Sequence, residues 1–93
     1  METLNEVQME FFRLLSQKQK EVCVCSLLNM NQQQNMEELL YDVTYEMACC
    51  IMELLDGYVK DDLKFKIIEE NRNVSLRQGR ELHDVCAEYL KHT

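Results

Sequence analysis

Seven side chains in the sequence could hold a metal or act as reactive thiols: Cys23, Cys25, Cys49, Cys50, Cys86, His83 and His92. Four of the cysteines fall in "CVC" and "CC", and neither has the C-x-x-C spacing of common zinc sites. His83 and Cys86 stand three apart, one turn of a helix, where an imidazole and a thiolate can share an ion. A thiol or metal sensor using Cys86, His83 and one of Cys23, Cys25 or Cys50 is therefore the chemical alternative. Catalytic groupings have less support. The three serines, Ser16, Ser26 and Ser75, lie in no glycine-flanked nucleophile turn. Two isolated glycines cannot cradle a phosphate. The carboxylates belong to helix faces, where such groups are usually solvated. The expectation is a non-enzyme with no cofactor and no dedicated metal site.

The elements that must position these residues follow from composition and spacing. Ninety-three residues without proline and with only Gly57 and Gly79 suit one small domain of long helices. A first helix is expected from about Thr3 to Leu28, with Thr3 and Glu6 as a capping box. Leu4, Val7, Phe11, Leu14, Leu15, Val22 and Cys25 form its apolar stripe. Lys18 interrupts that stripe, so "SQKQKE" reads as a weak point, either a bend or the place where the core ends. Residues 29–35 read as a polar connector. A second helix starts from an Asn35 cap supported by Glu38 and stops at Asp56 and Gly57.

Beyond Asp62 the period changes. In residues 63–70, Leu63, Phe65 and Ile67 alternate with Lys64, Lys66 and Ile68, and Val74 and Leu76 alternate again after "NRN". Two alternating runs around an asparagine turn predict a β-hairpin with those apolar residues inward. A last helix is expected from about Arg80 to Lys91, with Lys91 and His92 at its negative end. The fold class is α+β, mainly α, in the order α–α–β–β–α, with the two long helices antiparallel over a single domain, residues 1–93.

On a wheel at about 100° per residue, Glu38, Asp42, Glu46, Glu53 and Asp56 share one arc of the second helix, and Cys49 falls within it. Carboxylate neighbours disfavour a thiolate, so Cys49 is expected to be an inert, partly exposed thiol. Cys50, near Val43, Met47 and Leu54, is expected to fill core space. A third face carries Tyr41, Thr44, Tyr45, Ala48, Met52, Leu55 and Val59. The hairpin and last helix could cover it, or it could meet another chain, most simply a second copy.

The chain carries 10 basic and 17 acidic residues, a formal charge of −7, which argues against nucleic acid as a partner. The acidity is uneven: residues 1–62 sum to −8 and residues 63–93 to +1. An acidic arc beside tyrosines suits a basic protein surface. The odd cysteine count, the acidic start and the lack of a long apolar run lead us to expect a cytoplasmic chain with free thiols, no signal peptide and no membrane partner. The expected action is that of a small protein-interaction module, an inhibitor or an immunity- or antitoxin-like binder. That class rests on analogy with other small acidic helical chains. The surface expected to bind is Glu38, Tyr41, Asp42, Tyr45, Glu46, Met52 and Glu53.

Overall fold

The computed structural model describes residues 4–30 and 34–92. Helix α1 spans Glu6–Leu28, and α2 spans Met36–Leu55. A two-stranded antiparallel ribbon follows, β1 (Ile68–Glu69) and β2 (Val74–Ser75), and then α3 (Leu82–Tyr89). The α–α–β–β–α order and the mainly helical α+β class are those the sequence predicts.

Helix α1 starts later than expected. Thr3 lies outside the described residues, and the cap is Asn5, whose side chain accepts from the Gln8 amide while Gln8 returns a bond to the Asn5 amide. The capping box is therefore Asn5 with Gln8. Helix α1 runs unbroken through Lys18. Its ammonium pairs with Glu21 at 3.1 Å, so its stem can lie along the stripe while its charge stays at the edge. Part of the expected connector, residues 31–33, lies outside the described residues.

Helix α2 begins where predicted, with the Asn35 side chain accepting from the Glu38 amide at 2.8 Å. It ends in a Schellman turn. Tyr58 N donates to Glu53 O, Gly57 N donates to Leu54 O, and Gly57 takes φ +84°. A Cβ at Gly57 would lie 3.0 Å from Lys64, so both the dihedral and the space call for glycine.

The core is small. Leu14 of α1, Leu54 of α2 and Leu63 of the following loop pack together, with Phe11, Leu15, Val59 and Phe65 around them. Phe11 and Phe65 meet edge to face at 5.2 Å. An ion pair joins Glu10 near the start of α1 to Lys60 just after α2, so the two helices run antiparallel.

The expected hairpin shrinks to two residues per strand. Leu63 and Phe65 do turn inward, as the alternation predicts, but no ladder accompanies them. Phe65 N donates instead to Leu55 O at the end of α2. Ile67, Val74 and Leu76 are exposed rather than inward, because neither long helix extends under the ribbon. Helix α3 is also shorter than predicted. The chain becomes extended at Leu90, which frees Lys91 and His92 from the helix. Among the described residues no helix is long and apolar enough to cross a membrane.

Candidate functional site

Two polar constellations stand out, and they have different characters. The first is a buried node where α2 ends. The Asp56 carboxylate is 2% exposed. Its Oδ1 accepts from Arg77 Nε at 2.7 Å, and its Oδ2 accepts from the His83 amide at 2.9 Å and meets His83 Nδ1 at 2.7 Å. Arg77 also donates through Nη2 to Leu55 O and Phe65 O. One guanidinium thus ties the end of α2, the inward loop and the segment leading into α3.

Helix α3 has no cap from its own Glu81. Asp56 supplies an anion there from across the fold, which satisfies open amides and suits the positive end of the helix. Burial pushes the Asp56 carboxyl up, but the bonds from His83 and Arg77 outweigh it and hold the group at about 2. The bond to Asp56 in turn raises the His83 pKa against its partial desolvation. His83 Nε2 lies 3.2 Å from Asp84, and the Tyr58 ring covers the imidazole at 4.3 Å.

An aspartate–histidine pair can serve a general base, but here both partners are engaged in joining elements. Asp56, Glu81 and His83 bring potential ligand atoms within 4.8 Å of one another. The Arg77 guanidinium lies among them, 3.4 Å from Glu81, and supplies the positive charge an ion would bring. His83 is directed to Asp56, whereas Cys86 is buried beside Cys49. Cys23 and Cys25 are exposed on α1.

Cys49 is half-buried, the partly exposed thiol that the sequence predicts. It lies beside the Tyr45 side chain and, where α2 packs on α3, beside the Cys86 thiol. Burial, reinforced by Cys49, pushes the Cys86 thiol up to about 11. The neighbouring Cys49 thiol likewise raises the Tyr45 pKa. Cys50 is half-buried rather than fully in the core. Burial raises its pKa, the nearby Glu53 and Glu46 add to that, and Lys18 opposes it.

The second constellation is a groove of about 520 Å³ between the C-terminal half of α1 and the N-terminal half of α2. Val22, Leu39 and Val43 contribute apolar surface, and Glu21, Asp42 and Glu46 contribute carboxylates. Gln34 Nε2 donates to Asp42 at 2.6 Å. Of the predicted binding residues, the groove brings together Asp42, Tyr45 and Glu46. Glu38 and Tyr41 line an adjoining hollow with Asn35 and Glu37. Met52 and Glu53 are half-buried farther along α2 and belong to neither lining, because that part of the helix packs into the fold.

The sequence reading missed what lies on the tyrosines. Lys91 Nζ sits over the Tyr41 ring at 4.5 Å, and the His92 ring stacks on Tyr45 at 4.2 Å. A basic pair just after a short helix, in a chain with an acidic aromatic surface, was the available signal. No protein-family model, no curated protein and no solved structure matches this chain.

Proposed function

We propose that this protein is a non-catalytic interaction module that receives a basic segment of another protein in the groove between α1 and α2. The observation that carries the reading is the combination of apolar Val22, Leu39 and Val43 with Glu21, Asp42 and Glu46 in one open groove. Such a lining suits a basic amphipathic helix, whose apolar side fills the groove while its lysines or arginines meet the carboxylates. Its action would be that of an inhibitor or an immunity- or antitoxin-like binder, and its free thiols suit the reducing cytosol. Nuclear magnetic resonance mapping with an amphipathic lysine–leucine peptide tests the site. Shifts centred on Leu39, Asp42, Val43 and Glu46 support it, and shifts confined to other faces contradict it.

Self-association is a second reading, favoured by the exposed area. The chain exposes 7433 Å², about 30% above what a monomer of its mass typically shows. Leu27, Leu28 and Met36, near the connection of α1 and α2, are 72%, 79% and 67% exposed. Light scattering tests this reading: a homodimer supports it, and a monomer at high concentration rejects it.

A further inference from the structure

We infer that Lys91 and His92 are an internal competitor for the acidic tyrosine surface, seated where two consecutive basic residues of a partner would bind. The inference rests on the proposed binding role of the groove, which Tyr45 and His92 both line. Helix α3 stops at Tyr89, and Leu90 is extended, with φ −101° and ψ +138°. The chain then lies along α2. Tyr41 and Tyr45 are one helical turn apart, so their rings sit side by side on one face. Successive residues of the extended segment each take one ring: the Lys91 ammonium covers Tyr41, and the His92 imidazole stacks on Tyr45.

The surroundings extend this pattern. Glu37 and Glu38 border the hollow that Lys91 and His92 help to line, and His92 also reaches the groove that holds Asp42 and Glu46. The surface therefore presents two aromatic platforms flanked by carboxylates, a setting that selects a cation beside a second planar or cationic side chain. A Lys-Arg, Lys-His or Arg-Arg pair has that chemistry. Lys91 and His92 are themselves exposed, and ring contacts at exposed positions are weak. A partner's basic pair can displace them, and its apparent affinity is lowered by the fraction of time they occupy the rings.

The test measures anisotropy of a fluorescein-labelled peptide of lysine and leucine carrying one Lys-Arg pair. The proteins are the natural chain, the variant K91A/H92A and the control K66A, which loses the same lysine charge at an exposed position that lines neither the groove nor the hollow. Circular dichroism checks that all three are folded. The expected result is that K91A/H92A binds roughly five- to tenfold more tightly than the natural chain, with K66A close to the natural chain. Equal binding by the natural chain and K91A/H92A would overturn the competitor while leaving the acidic surface as a binding site. Equal gains in K91A/H92A and K66A would reduce the effect to net charge and also overturn it. No binding by any of the three would overturn the surface reading itself.

Discussion

Asp56 closes the amino end of a helix 27 residues away: its Oδ2 accepts from the His83 backbone amide and meets the His83 ring Nδ1 at 2.9 and 2.7 Å. The same carboxylate takes Arg77 through Oδ1. Helix α3 is eight residues long, too short to be stable alone. Its place against α2 depends on this node and on the burial of Leu82 and Cys86.

Removing the negative charge should therefore loosen α3 before it affects the pair of long helices. Asp56→Asn leaves Arg77 without its buried anion, and such a loss costs on the order of 3 kcal/mol. Urea denaturation should show that drop. The His83 pKa, followed by its ring proton resonances, should fall toward the ordinary histidine range in the variant. An unchanged His83 titration would mean that Asp56 does not hold the ring.

Stability should have a maximum in mildly acidic solution. The folded Asp56 pKa of about 2 lies below the usual carboxylate value, so its contribution is present above roughly pH 4 and is lost as pH falls toward 2. A shift of that size corresponds to about 2 kcal/mol. The folded His83 pKa is raised, so its contribution is fully present below about pH 6.5 and is lost as pH rises through the folded value. Urea midpoints measured across pH should fall on both sides of that window. In His83→Gln the alkaline fall attributable to this ring should be absent.

The thiols should separate by rate. Cys23 and Cys25 are exposed on α1, Cys49 and Cys50 are half-buried, and Cys86 is buried with its pKa pushed up to about 11. Thiolate is the reacting form, so Cys86 should be modified by a disulfide reagent at pH 8 only as the protein unfolds. Mass spectrometry of partly labelled protein reads this order directly. Early labelling of Cys86 would mean that α3 does not stay docked.

Much of the fold could be read locally. Asn35 and Gly57 bound α2 because a cap and a left-handed turn are properties of a few neighbouring residues. The wheel placed Asp42, Tyr45 and Glu46 near one another, and the groove contains all three. The wheel reads Cys49 as partly exposed, as it is, but it cannot say which side α3 covers or that Cys86 comes to lie near Cys49. Alternation identified Leu63 and Phe65 as inward, since it reports burial. A ladder also needs a partner strand, and the ribbon supplies only two paired positions per strand. The Asp56 node joins residues 21 and 27 apart, which no local pattern reveals. One hint was available. An aspartate beside the negative end of a helix is unfavourable, so its presence there suggests a distant cation or amide.

The groove is the centre of the functional account, and charge reversal within it is the most direct test. Asp42→Lys with Glu46→Lys changes two half-buried or exposed positions on α2, away from the buried Leu54 core and the Asp56 node. Circular dichroism should show the same helix content. Affinity for a labelled lysine–leucine amphipathic peptide should fall by roughly tenfold or more, with a weaker dependence on salt. Unchanged affinity in the folded double variant would contradict the groove as the site where this protein binds.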